Sequence, residues 1–280
     1  MGNIVCVPIY AKRLEYPIDL DKKYINNSCG LCNQLTQIIN LIGRDVFDFY
    51  IDVFSMDLYK GNITPISNIL DLEVMNSKYN MSIKDIIEMS DLDFKSGISE
   101  INWGPPFSLY HNNPDKFGES ARKIEINERF KKIANNLARD KGVIDKEVNL
   151  IHLRIDDDFK VHCRPETDPY YDSIVSKYEK EIYEKCDPSI PLCLLIDTYD
   201  HELVAKLKND YEVIYISKEE CDLYLTEDFR GMRDIYAFCD FAFSSILNIN
   251  NLMILENSRE TSSLSILLKS YLKHKQCTAI

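Results

Sequence analysis

The chain has 280 residues, 45% of them hydrophobic, and a formal net charge of -12. That length fits one large domain or two small ones, and the apolar content builds a real core, which excludes a disordered chain. The acidic balance argues against nucleic acid or an anionic membrane as the main partner, so single arginines gain interest as anion contacts.

The predicted elements alternate along the chain. Ile4–Val7 reads as a first strand. In Ser28–Gly43, Leu31, Leu35, Ile38, Ile39 and Ile42 share one helical face, with Gly43 as the stop. Val46–Phe54 is aromatic and β-branched, a central strand, whereas Lys60–Pro114 has no clear period; its Trp103-Gly-Pro-Pro106 run reads as a rigid loop. Glu119–Ala138 reads as a helix, and Arg139–Lys146, charged and containing Gly142, as the domain boundary. The second half gives strands at Val148–Ile155, Pro191–Ile196, Tyr211–Ile216, Phe241–Ser244 and Leu252–Leu255. Its helices fall at Tyr170–Tyr183, His201–Lys208, Phe229–Cys239 and Ser262–Leu272. Alternating strands and helices predict an α/β fold with a parallel sheet covered on both faces, divided into domains 1–145 and 146–280.

The nine cysteines are odd in number and scattered through apolar segments, which suits thiols in a reducing compartment. The N-terminus has no apolar run long enough for a signal peptide or membrane anchor, so the expectation is a cytoplasmic protein.

Three stretches could carry chemistry. Cys29-Gly-Leu-Cys32, at a strand-to-helix turn, suits a redox pair because a helix N-terminus lowers a thiol pKa; the plain alternative is two half-buried thiols. In Val148–Lys160 a short apolar run carries His152 and Arg154 and then breaks into Asp156, Asp157 and Asp158. This reads as a buried strand opening into a cleft, where an arginine fork suits a phosphate. The carboxylates are either a solvated turn or a D-x-D that holds a divalent ion against a nucleotide diphosphate. Thr261-Ser-Ser-Leu-Ser265 are hydroxyls at a helix start, caps or a phosphate seat.

The order of these pieces resembles the GDP-fucose-dependent fucosyltransferases, both the α-1,2/α-1,6 and the protein O-fucosyltransferase types. Gly30-Leu-Cys-Asn33-Gln34-Leu35 resembles their G-L-G-N-Q-L element, and His152-Leu-Arg154-Ile-Asp156-Asp-Asp158-Phe159 their H-x-R motif. Asp168-Pro-Tyr-Tyr171 is similar to the segment that follows the motif. Leu194–Leu207 is similar to their I-A-T-D-x-x-E, Asp234–Asp240 to D-L-Y-x-x-x-x-A-D, and Ser262-Ser-Leu-Ser265 to S-S-F-S. The match is collinear over most of the chain outside Lys60–Pro114. It departs at Ile155, where the H-x-R-R form has a second arginine, at Cys32 in place of a small residue, at Leu264 in place of Phe, and in about ten extra residues before the serine motif.

The resemblance implies a GT-B-like fold, two Rossmann-like domains facing a cleft, with the acceptor side in 1–145 and the GDP-sugar in 146–280. It implies inverting transfer of L-fucose from GDP-fucose to a glycan or protein hydroxyl, with no required metal or cofactor. Carried over one by one, Arg154 clamps the diphosphate and His152 contacts the nucleotide beside it. Ser262, Ser263, Leu264 and Ser265 seat the phosphates, Asp234 reads the guanine edge, and Gly30 and Asn33 sit at the reacting centre. Asp156 and Asp158 are candidates for the base. Ile155 keeps open an inactive member that binds GDP-sugar without turnover. A metal-dependent transferase using Asp156–Asp158 and a thiol oxidoreductase on Cys29 and Cys32 complete the alternatives.

Overall fold

The computed structural model describes residues 4–6, 30–51, 54–57, 62–85, 99–100, 108–163, 169–256 and 262–280. In chain order the elements are β1 (Ile4–Cys6), α1 (Leu31–Gly43), β2 (Asp48–Ile51), β3 (Phe54–Asp57), β4 (Asn62–Thr64), α2 (Leu72–Tyr79), β5 (Ser82–Asp85) and β6 (Ser99–Glu100). Then come α3 (Ser108–Asn112), α4 (Pro114–Ala121), α5 (Glu128–Asp140), β7 (Glu147–His152), α6 (Asp157–Cys163), α7 (Tyr170–Lys185) and β8 (Leu192–Leu195). The chain continues through α8 (Glu202–Asp210), β9 (Val213–Tyr215), α9 (Lys218–Asp222), α10 (Arg233–Ser244), β10 (Asn248–Ile254), α11 (Ser263–Tyr271) and β11 (His274–Ala279). The expected loop Trp103–Pro106 lies outside the described residues.

Two compact units form. The first comprises Met1–Lys132 with Leu225–Ala242, the second Ile133–Tyr224 with Phe243–Ile280. The Gly142 turn, where the sequence suggests a boundary at 145/146, closes α5: Gly142 takes φ +65, Lys141 N–H and Gly142 N–H return to Leu137 O and Arg139 O, and Val143 N–H reaches Ala138 O. It is a helix stop inside the second unit.

In the first unit β5, β2, β1 and β6 form a parallel sheet in that order, with β3 and β4 paired antiparallel beside it in sequence. Leu31, Leu35, Ile38, Ile39 and Ile42 of α1 are all buried, as their spacing requires. Gly43, the last residue of α1, is a glycine for a packing reason, since a Cβ there would lie 2.2 Å from Leu109 Cδ2 and 3.0 Å from Ser120 Oγ. The stop itself is the left-handed turn at Asp45, φ 60, with Val46 N–H returning to Leu41 O. The single helix expected over Glu119–Ala138 is two. Between α4 and α5, Ile126 bridges to Leu70, Asn127 N–H donates to Ile69 O, and Asn127 Nδ2 donates to Ser67 O at 2.7 Å. These tertiary bonds override a helical period that runs on through the break.

The second unit has one five-stranded parallel sheet in the order β11-β10-β7-β8-β9. The unit's first strand is central; the chain builds outward through β8 and β9, then returns to the other side of β7 with β10 and β11. The strand order therefore reverses between β7 and β10. A parallel sheet opens a crevice at the carboxyl ends of the two strands where its order reverses. Leu150, Ile151, Leu192, Leu194, Met253 and Ile254 fill the sheet layer, and Ile174, Tyr178, Ile182, Val204 and Leu207 cover it.

Two strand readings change here. Phe241–Ser244 is the last turn of α10, not a strand. Phe238, Phe241, Ala242 and Phe243 are all buried, and a helix buried nearly all round shows no amphipathic period. Strand β10 starts at Asn248 and runs through its polar residues: Asn250 Nδ2 donates to Asn149 Oδ1 at 3.3 Å, where the register shifts. Strand β11 was not expected at all; its His-Lys-Gln start is the polar edge that protects a sheet from further pairing.

Candidate functional site

The second unit brings two of the sequence motifs together at the strand-order reversal. Strand β7 ends at His152, and the chain leaves the sheet after Leu153 N–H donates to Leu195 O at 3.0 Å. It turns through Arg154 and Ile155 into α6. Asp156 caps that helix, its Oδ1 accepting from Phe159 N–H at 2.9 Å, while its Oδ2 lies 3.5 Å from Arg154 Nη1. The Arg154 side chain is 31% exposed and that of Asp156 14%. The guanidinium also lies 5.9 Å from the Phe159 ring centroid, a cation–π contact that the sequence reading missed. Phe159 was legible there only as the last letter of the H-x-R motif.

His152 is buried, and its Nδ1 is 2.9 Å from Ser265 Oγ, also buried. Burial first, and the Arg154 charge second, push the imidazole down to about pKa 3, so it is neutral at ordinary pH. Ser265 is thereby a tie between β7 and α11 and lies behind the helix end. At that end Ser262 is the N-cap residue, extended at φ -78 and ψ 134, yet its side chain makes no capping bond. The first turn of α11 holds no acidic residue, and Lys269 sits in its last turn. The leading N–H groups of a helix have no intrahelical acceptor, and the helix dipole gathers positive potential on them. Ser262 and Ser263 are half-buried and Leu264 is buried. A neutral imidazole is thus tied to an uncapped helix start at the carboxyl end of β7, and a guanidinium follows two residues after it in the chain, donors of a kind suited to an anion.

The first unit gathers a second set. Gly30 is the N-cap of α1 without a side-chain cap, and its carbonyl accepts from Asn33 N–H and Gln34 N–H. A Cβ on Gly30 would press on Asp234 Oδ1 at 3.3 Å, which places the Asp234 carboxylate, in the first turn of α10, close to the start of α1. Asn33 Oδ1 is buried and has no hydrogen-bond partner among the described residues. The sequence reading placed Asp234 in the C-terminal domain; the structure groups it with Gly30 and Asn33 in the first unit. Its helix reads as one more repeat of the second-half alternation, and the sequence carries no mark that residues 225–242 pack elsewhere.

Ile155 is buried in the core of the second unit with Leu153, Phe159 and Tyr171. The side chain of Asp158, together with Cys29, Asp168 and Thr261, lies outside the described residues. Cys32 stands in the first turn of α1, and the described cysteines carry thiols rather than disulfides. Among the described residues no group of three His, Cys, Asp or Glu side chains could hold a metal ion, and no helix is long and apolar enough to cross a membrane.

No family model matches the chain, and no curated protein matches it. Solved structures do. The chain is similar to POFUT1 in complex with GDP-fucose, with a TM-score of 0.55 at 10% identity, covering 99% of this chain and 98% of that one. Against the POFUT1 apo-form the TM-score is 0.56 at 11% identity, over 100% and 97% of the chains. Against POFUT1 in complex with GDP it is 0.53 at 10% identity, over 99% and 98%. At this identity the likeness establishes a shared α/β fold over the whole chain.

Proposed function

We propose that the chain is a glycosyltransferase of the fucosyltransferase class. It moves L-fucose from GDP-fucose to a hydroxyl of a glycan or protein acceptor, with inversion and without a required metal, on a GT-B arrangement of two Rossmann-like domains. The observation that carries this reading is the His152–Ser265 hydrogen bond, which joins the H-x-R and S-S-L-S motifs at the strand-order reversal of a parallel sheet. The structural likeness to POFUT1 bound to GDP-fucose and to GDP supports the same donor.

In such a transfer the acceptor oxygen bonds to the anomeric carbon and loses its proton to the departing diphosphate or to solvent, while the bond to the β-phosphate oxygen breaks and GDP leaves with the electron pair. Negative charge therefore grows on the diphosphate, and donors aimed at it in advance are the main source of rate. Arg154 supplies a bidentate fork, and the N–H groups of Ser263, Leu264 and Ser265 a dipole end, with the Ser262 and Ser263 hydroxyls beside them. His152, neutral and tied through Nδ1, offers shape and a hydrogen bond rather than charge. Gly30, Asn33 and Asp234 are assigned to the reacting centre and the guanine on resemblance. Both oxygens of Asp156 already have partners, the Phe159 N–H and the Arg154 guanidinium. That favours a positioning role over that of a base, and weighs against the metal-dependent alternative.

A second reading, a GDP-sugar-binding relative without turnover, draws on Ile155: it is buried in the core, so no second guanidinium stands at that place. A thermal-shift panel of GDP, GDP-fucose, GDP-mannose, UDP and UDP-sugars, each with EDTA and with Mn²⁺, tests the proposal. Stabilisation by GDP and GDP-fucose in EDTA, with little from UDP, is expected. A shift seen only with Mn²⁺, or with no nucleotide, refutes it. Release of fucose from GDP-fucose to acceptor or water then separates the enzyme from the silent binder.

A further inference from the structure

We propose that Tyr171 and Tyr178, two hydroxyls on one face of α7, form a positioning clamp on the main chain of the His152–Ile155 turn and thereby aim the His152 and Arg154 side chains. The inference rests on reading that turn as the nucleotide site. The two residues are seven apart, two helical turns, so both point the same way. Both rings are buried. Tyr178 Oη donates to His152 O at 2.7 Å and accepts from Arg154 N–H at 3.4 Å. Tyr171 Oη donates to Ile155 O at 2.8 Å.

These main-chain groups need partners because the strand has just left its sheet. Leu153 N–H still reaches Leu195 O, but beyond it the turn bonds to no neighbouring strand among the described residues. The tyrosines replace that missing strand with side chains from behind. A hydrogen bond to the carbonyl of 152 and another to the amide of 154 together hold the peptide planes on either side of Leu153. Rotating either plane would carry His152 Nδ1 away from Ser265 or the guanidinium away from Asp156.

The clamp has its own support. His201 Nδ1 accepts from Leu203 N–H at 3.1 Å, so in the neutral ring the proton sits on Nε2. That nitrogen is 3.4 Å from Tyr171 Oη, which therefore accepts there while it donates to Ile155 O. Burial lowers the His201 pKa, with the Glu202 charge opposing and Lys160 adding to the effect, which favours this neutral form. Burial also pushes the Tyr171 hydroxyl up to about 12, with Asp156, Asp157 and Asp172 adding to it, and raises Tyr178 as well, so both remain donors. None of the three side chains is asked to touch the nucleotide; they act through the turn.

The test compares Tyr178→Phe and Tyr171→Phe with Tyr211→Phe. Tyr211 is a matched control: it is buried, and its hydroxyl bonds to Ile182 O and Cys186 O at the far end of α7. GDP affinity is measured by calorimetry, and the His152 ring nitrogens are followed by ¹⁵N spectra of ligand-free protein. Tyr178→Phe is expected to weaken GDP about tenfold, Tyr171→Phe several-fold, and Tyr211→Phe by less than about twofold. The His152 Nδ1 resonance should move in Tyr178→Phe and stay in Tyr211→Phe. Wild-type affinity in Tyr178→Phe, or equal losses in Tyr178→Phe and Tyr211→Phe, overturns the clamp. If Tyr178→Phe does not fold, Tyr171→Phe decides by the same comparison. Absence of GDP binding by the wild type would instead refute the nucleotide reading; the ligand-free spectra then decide the clamp, an unmoved Nδ1 resonance overturning it and a moved one upholding it.

Discussion

His152 makes the second unit lose stability as the pH falls, by an amount the structure sets. Burial and the neighbouring Arg154 charge depress its pKa to about 3 in the fold, against about 6.5 in the unfolded chain. The folded state therefore refuses a proton that the unfolded state takes up, and the contribution is full above pH 6.5 and lost as pH falls toward 3. Between pH 7.5 and pH 5.0 the titration crosses about 1.5 units below the unfolded pKa, which at 1.36 kcal/mol per unit amounts to about 2 kcal/mol. His152→Asn keeps a polar atom near the Nδ1 position and removes the titration. Native-state hydrogen exchange at the Leu150 and Ile151 amides, corrected for intrinsic rates, reads the opening free energy of β7 at both pH values. The wild type should lose about 2 kcal/mol more than the variant on going from pH 7.5 to 5.0. The other depressed groups, His201 and His274 among them, are common to both proteins and cancel. Equal losses in the two proteins would refute the buried neutral imidazole.

Arg154→Ala should weaken GDP by about 2 kcal/mol, the worth of a charge-assisted phosphate contact, and leave β7 protected in exchange; unchanged calorimetric affinity would remove Arg154 from the site. Asp156→Ala should cost about 1 kcal/mol of α6 stability through the lost cap, while Asp156→Asn, itself a good N-cap, should cost far less. If Asp156→Asn lowers the turnover number a thousandfold at normal GDP affinity, the residue is the base after all. Gly43→Ala drives a methyl into Leu109 and Ser120 and should destabilise the first unit by about 1–3 kcal/mol, read as a lower melting midpoint. A neutral result would mean that Leu109 moves aside freely.

How far the sequence could be read depended on whether a period survives burial. The α1 stripe and the β7 run stand out because one face is apolar or the whole segment is. Strand β10 was half hidden by Asn250 and Asn251, and the end of α10 looked like a strand because phenylalanines surround it. The H-x-R and S-S-L-S motifs were legible as letters, but the bond between His152 and Ser265 belongs to strand order, which no local pattern contains. The same holds for Asp156: its spacing suggested a base or a metal ligand, and only the turn geometry shows a cap. Tyr178 was invisible as a site residue, since a buried tyrosine at helical spacing reads as core; its hydroxyl matters only because a turn lies within reach.

The division of the chain also constrains how the protein comes into being. Phe130 packs edge-on against Phe229 and Phe238, at 5.8 and 4.9 Å between ring centroids, and all three belong to the first unit. A truncated gene product ending near residue 145 would lack two of those rings and the Asp234 beside Gly30. On the ribosome the first unit must wait for Leu225–Ala242, about 5–20 s at ordinary elongation rates. For that interval its aromatic core is open, and most of the second unit has already been made. The usual order, in which an N-terminal domain finishes before the next begins, does not apply: the two halves mature interleaved, and a chaperone holding Phe130 and the α1 face in the meantime would find work to do.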